Sequence, residues 1–196
     1  EHYLTGLSRS IKGDVGRNDL DGRFLCIRIE WLFLSAGNEA CNAVAEYIAG
    51  SVDEFVRMMN ERAYELGCTA TRFQNANGLH DPEHYTTVRD LCIITQAALK
   101  SENFKQIVNT PEYTLPATNL SGERKLKSTN QLISRSSSNP FYYSKASGVK
   151  TGYTTPAGRC LISTAEDNGL KLLAIVCGAA TSIQDNGELL MESFPE

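Results

Sequence analysis

The stretch ASGVKTGYTTPAGRCLISTAEDNGLKLLAIVCGA, residues 146–179, decides the fold. It holds three strand-like runs: Ala146 to Thr151, Arg159 to Thr164 and Leu170 to Cys177. The last two flank Asp167-Asn168-Gly169, a hairpin signal because Asn and Gly accept positive φ. Lys150-Thr151-Gly152 closes the first run, just before a Tyr-Thr-Thr-Pro-Ala-Gly loop. An ammonium and a hydroxyl at a strand end can hold a substrate carboxylate, and glycine leaves room for substrate to lie against the strand. The tripeptide alone is also what an ordinary turn looks like. Its setting, between a strand and a hairpin partner, is what lends it weight.

Working upstream, the text is helical. Asn38 to Ile48 places Ala40, Val44, Ala45 and Ile48 on one face and is closed by Gly50. Ser51 and Glu54 form a capping box for a helix with its stripe at Val52, Phe55, Val56, Met59, Ala63 and Leu66, ended by Gly67. A polar loop from Thr69 to Tyr85 leads to a helix capped by Thr87, with Asp90 three residues on. After Pro111 the text changes: Tyr113 to Leu115 is extended, and Ser121 to Pro140 is Ser-rich and polar, predicting a long surface loop. Helices followed by an antiparallel β segment predict an α+β fold.

Bulk properties narrow the function. With 41% hydrophobic residues in 196, the chain can bury one sizeable core. A net charge of −4 with scattered Lys and Arg argues against a nucleic-acid surface. No apolar run has the length of a membrane span. The six cysteines contain no CxxC pair, and four sit among apolar neighbours, which predicts small buried side chains. His80 and His84 have i, i+4 spacing, but Pro82 between them predicts a loop, so no metal site is assigned. The chain opens on Glu1, which predicts a processed or partial product.

Ser35-Ala36-Gly37-Asn38 opens the first helix, where Asn38 either caps it or binds a substrate amide. Taken with Lys150-Thr151-Gly152, this resembles two of the three motifs, S-x-x-K, S-x-N and K-T-G, of penicillin-interacting serine enzymes. The run AGNEACNAVAEYIAGSVDEFVRMMNERAYELGCTATRFQNANGLHDPEHYTTVRDL resembles the helical region of low-molecular-mass penicillin-binding D-Ala-D-Ala carboxypeptidases, especially clostridium-like ones. Residues 146–179 resemble their KTG strand and hairpin, and the similarity runs roughly from Leu32 to Phe194.

The resemblance implies a DD-peptidase/β-lactamase-like fold, no cofactor and an extracytoplasmic location. The implied partners are a peptidoglycan stem peptide ending in D-Ala-D-Ala and β-lactams. By the same resemblance, Asn38 and Ser35 are the catalytic candidates. Lys150, Thr151, Gly152, Tyr153 and Thr154 are the substrate-binding ones, the Tyr153 backbone N–H being an oxyanion donor whose loss costs ~10²-fold in rate. The chain departs from the pattern twice. Ala36 stands where the second motif has Ser, and Ser35 falls one residue early, rotated by roughly a hundred degrees on a helix. The only serine with Lys three residues on is Ser147, inside the KTG strand, where Lys150 cannot serve two motifs. We therefore expect residues 1–30 to be an unassigned segment and 31–196 a partial domain. The resemblance places the nucleophile segment either upstream of residue 1 or in a stretch lost or scrambled within residues 1–30, and the C-terminal helix and any membrane attachment are missing from the 196 residues. Two alternatives stay open: a non-catalytic remnant or peptidoglycan-binding module, and a class A β-lactamase, for which no deacylating-Glu loop is recognisable.

Overall fold

The computed structural model describes residues 38–117, 119 and 122–179. Four helices come first: α1 (Asn38–Ala49), α2 (Val52–Glu65), α3 (Val88–Ala98) and α4 (Glu102–Val108). Strands β1 (Glu112–Leu115) and β2 (Arg124–Lys127) form an antiparallel pair, and a 3-10 turn spans Gln131–Ile133. Strands β3 (Ala146–Thr154), β4 (Gly158–Asp167) and β5 (Leu170–Ala179) make an antiparallel meander in that order. The α+β expectation holds, with the helical stretch preceding the sheet. The strand-like reading of Ile27 to Trp31 lies outside the described residues.

The caps act only in part as the sequence predicts. Ser51 Oγ accepts from Glu54 N at 3.1 Å, but the Glu54 carboxylate pairs with the Arg57 guanidinium instead of completing the capping box, while Gly67 takes φ +88 beyond the end of α2. Helices α1 and α2 pack through small residues, Ala45 and Ala63 being almost wholly buried. Thr87 Oγ1 accepts from Asp90 N at 3.1 Å, but Asp90 does not return the bond as a capping box would. Its carboxylate turns away to take Ala70 N at 2.8 Å and Thr71 Oγ1 at 2.7 Å, sewing the loop after α2 onto the start of α3. These bonds, led by the one from Thr71, hold its pKa below the ordinary carboxylate value. The stability it contributes is therefore present above pH 3.8 and lost as pH falls through the depressed value. Asp90→Asn, which cannot accept both bonds with equal strength, is expected to lower the melting temperature by about 5 °C at pH 7. The gap to the parent should shrink in thermal scans taken at progressively lower pH.

The region Ser121 to Pro140 is not the surface loop its composition suggests. Strand β2 pairs with β1 from Glu112↔Lys127 to Leu115↔Arg124, and Leu126 is buried with Leu115 beneath Tyr113. Asn130, Leu132 and Ile133 are also buried, and Leu132 joins Leu161 and Ala165 in the core under the meander. One apolar residue, Leu126, and one adjacent pair, Leu132 and Ile133, turn inward here while the Lys and Arg side chains stay exposed, so average polarity conceals the pattern. The meander is also longer than its apolar runs. Thr154↔Gly158 is the last pair of β3 and β4, so the expected six-residue loop shrinks to a tight turn at Thr155, Pro156 and Ala157. Helix α4 packs against β3 and α3 against β5.

Candidate active site

Strand β3 pairs with β4 in the register Lys150↔Ile162, Thr151↔Leu161, Gly152↔Cys160 and Tyr153↔Arg159. Alternation puts Lys150, Gly152 and Thr154 on one face and Thr151 and Tyr153 on the other. Among the described residues β3 is an edge strand. A β-bulge enters the strand before the motif, between Ala146 and Val149, at Gly148.

Lys150 is half-buried, and its Nζ donates to the Thr151 carbonyl at 2.9 Å. Burial pulls its pKa below 10.5, and the Cys41 side chain on α1 opposes that shift electrostatically. Cys41 and Asn38 are three residues apart on α1, hence on one helix face. The first turn of α1 and the Lys-Thr-Gly strand, distant in sequence, thus share one neighbourhood. Asn38 is the first residue of α1 and is half-buried. Ser35 lies outside the described residues.

Thr151 Oγ1 is hydrogen-bonded to Thr129 Oγ1, just ahead of the buried Asn130. Asn130 Oδ1 accepts from Leu132 N at 3.1 Å, fixing the turn from which Thr129 reaches the strand. Thr129 was not singled out by sequence reasoning, because it stood in a segment read as loop. Its signal was the Thr-Asn-x-Leu spacing, a capped turn ahead of a buried leucine. Tyr153 is 67% exposed, with the Arg159 guanidinium 5.6 Å from its ring centre. Thr154 Oγ1 accepts from Ala157 N at 3.2 Å, which closes the turn and leaves its O–H free to donate. A Cβ placed on Gly152 would meet only Cys160 Cβ, at an ordinary 3.8 Å. The chain itself therefore does not require glycine there.

Ser147, the serine of the Ser-x-x-Lys run, is a strand residue, as its sequence setting predicts. It sits in β3, and its Oγ shares a 3.0 Å hydrogen bond with Thr164 Oγ1. His84 Nδ1 accepts from Gln74 N at 3.3 Å, and its ring meets Phe73 edge-on. Burial lowers its pKa, against the opposing charge of Asp81. Asn60 clamps the same loop through both Phe73 N and Phe73 O, which accounts for these residues structurally. The cysteines depart in part from the buried reading: Cys68 is buried, Cys41, Cys92 and Cys160 are half-buried, and Cys177 is exposed.

Comparison with known proteins agrees with this arrangement. The chain is 35% identical over 161 residues to the D-alanyl-D-alanine carboxypeptidase DacF of Bacillus subtilis, covering 82% of this chain and 39% of that protein. It is 34% identical over 154 residues to DacA of Escherichia coli, covering 78% and 35%. Among solved structures it is similar to the Streptomyces DD-transpeptidase, with TM-score 0.73, 31% identity and coverage of 83% of this chain and 63% of that one. A penicillin-binding protein of Listeria monocytogenes in its cefotaxime-bound form superposes with TM-score 0.69 at 28% identity, covering 85% and 64%. The chain thus spans less than half the length of the curated relatives it matches. The family described as D-alanyl-D-alanine carboxypeptidase matches residues 29–181, and with the penicillin-binding fold and the Lys-Thr-Gly edge strand in place, this chain belongs to that family.

Proposed function

We propose that this chain forms the carboxylate-binding side of a serine-type D-Ala-D-Ala carboxypeptidase, which removes the terminal D-Ala from peptidoglycan stem pentapeptides through an acyl-enzyme and is sensitive to penicillin. The observation that carries this reading is Lys150: a half-buried ammonium at a strand edge, with no carboxylate partner among the described residues and only a backbone carbonyl to donate to. A partly desolvated cation without a counter-ion costs stability and is complete only when an anion arrives. The terminal carboxylate of the stem peptide is that anion. In this reading Thr151 and Thr154 donate hydroxyl bonds, and Asn38 aligns the peptide amide. The Tyr153 backbone N–H faces the oxyanion of the attacked carbonyl, and Gly152 lets the peptide lie flat on β3. Acylation falls on a serine other than Ser147. The substrate's place in the cell wall puts the protein outside the cytoplasm.

The alternative kept from the sequence, a peptidoglycan-binding module without turnover, shares the claim of carboxylate capture. Calorimetric titration with an acyl-D-Ala-D-Ala peptide and with its C-terminal amide tests the shared claim. The free acid is expected to bind at least about tenfold tighter. Gly152→Ala is expected to abolish that advantage while shifting the melting temperature by less than about 2 °C, since its methyl meets only ordinary contact. Equal binding of acid and amide refutes carboxylate capture. Labelling by a fluorescent penicillin then separates an enzyme from a module that only holds the peptide.

A further inference from the structure

Behind Gly152 lies a second chemical feature that the peptidase reading does not use. Cys160 is the direct strand partner of Gly152. Continuing the register that pairs Leu161 with Val176 by one residue sets Cys160 opposite Cys177, and the extra residue is taken up before Arg159 meets Ala179. The strands are pinched together here: a Cβ on Gly158 would lie 3.1 Å from Gly178 Cα. Directly opposed residues of an antiparallel pair have Cα atoms about 4.5 to 5.5 Å apart, inside the range that a disulfide spans. Cys160 Sγ lies 3.7 Å from the Ala157 carbonyl, while Cys177 stands exposed at the surface. Partial desolvation of its sulfur and the neighbouring Cys160 push the Cys177 thiol up to about 11, although the residue as a whole is exposed.

We propose that Cys160 and Cys177 are a disulfide-forming redox site that clasps β4 to β5 behind the Lys-Thr-Gly strand. The oxidant is a small-molecule disulfide. One cysteine thiolate attacks a sulfur of the oxidant, forming a mixed disulfide and releasing one thiolate. The second cysteine then attacks the mixed bond, the Cys160–Cys177 bond closes and the second oxidant sulfur leaves. Two electrons pass to the oxidant, and the two thiol protons end on the released thiols or in water.

Peptide mapping decides the matter, because trypsin places the two cysteines on separate single-cysteine fragments, Cys160–Lys171 and Leu172–Glu196. The full chain is equilibrated in native buffer with oxidised and reduced glutathione, alkylated and digested. The expected result is a linked pair of these fragments, with alkylation of Cys177 reduced about tenfold at the oxidising end. In Cys160→Ser, Cys177 should remain alkylated throughout. The same experiment in guanidinium should scatter links over all six cysteines. Separate alkylation of both residues across the whole range, stable mixed disulfides with glutathione, or an equally scattered pattern in native buffer would each overturn the proposal.

Discussion

Lys150→Met is expected to weaken binding of a D-Ala-D-Ala-terminated peptide by about a hundredfold, roughly 2.7 kcal/mol, while leaving the melting temperature unchanged or higher. Most substitutions at half-buried positions destabilise, so the opposite sign is diagnostic. It follows from a cation that has been partly removed from water and has no charged partner among the described residues. Its pH dependence has a definite sign. Because burial lowers the folded-state pKa, the unfolded chain binds the proton more tightly. The penalty for holding the ammonium is complete below the depressed value and disappears as pH climbs from there to 10.5. Denaturant midpoints measured against pH should show the parent gaining on Lys150→Met through that alkaline window. Peptide affinity should fall in the same window, at lower pH than an ordinary lysine would give. If the parent is the more stable protein at neutral pH and the gap is flat, Lys150 is a structural residue.

Gly148→Ala should have the largest effect on the fold, about 3 kcal/mol of destabilisation by chemical denaturation. Gly148 has φ +139, a conformation that L side chains rarely adopt. An added Cβ would come within 2.9 Å of Val108 Cγ2 and 3.3 Å of the Val108 carbonyl. Val108 is itself buried at the end of α4, with little room to retreat. Peptide binding should fall along with stability, because the bulge at this glycine sets the register that carries Lys150 to the strand edge. The double variant with Val108→Ala should cost less than the two single costs added, since the clash between them is counted once. Strict additivity would show that the strain is in the backbone alone.

The sequence was readable where one signal dominated. The stripe of α2, its Ser51 cap and its Gly67 stop are short-range features, and each reappears in the structure. The Asp167-Asn168-Gly169 turn did likewise, with Asn168 and Gly169 both at positive φ. What escaped was packing that depends on distant chain. Asp90 stands three residues after Thr87, where its backbone N–H meets the cap. Its carboxylate chose Ala70 and Thr71, whose approach no local pattern announces. Strand β2 and the turn at Gln131 were hidden because Leu126 alone, and then only the pair Leu132 and Ile133, are buried in a polar stretch, too short a signal to detect. With them went Thr129 and its bond to Thr151. For the site, the Lys-Thr-Gly tripeptide could be named at once. That Lys150 is partly desolvated, and that the side chain opposing this shift comes from α1, required the assembled fold.

The two surroundings of Lys150 also arise on different schedules. All its strand partners lie within one contiguous run, Ala146–Ala179, joined by tight turns, and pairings this local close quickly. The α1 contact is remote in sequence and must wait for the helices to dock. A meander formed ahead of the helical layer would hold its lysine without the opposing influence of Cys41, and docking of α1 would bring that influence in and raise the titration. The proton affinity of this one side chain is thus a gauge of assembly, readable by NMR during refolding and before any substrate is added.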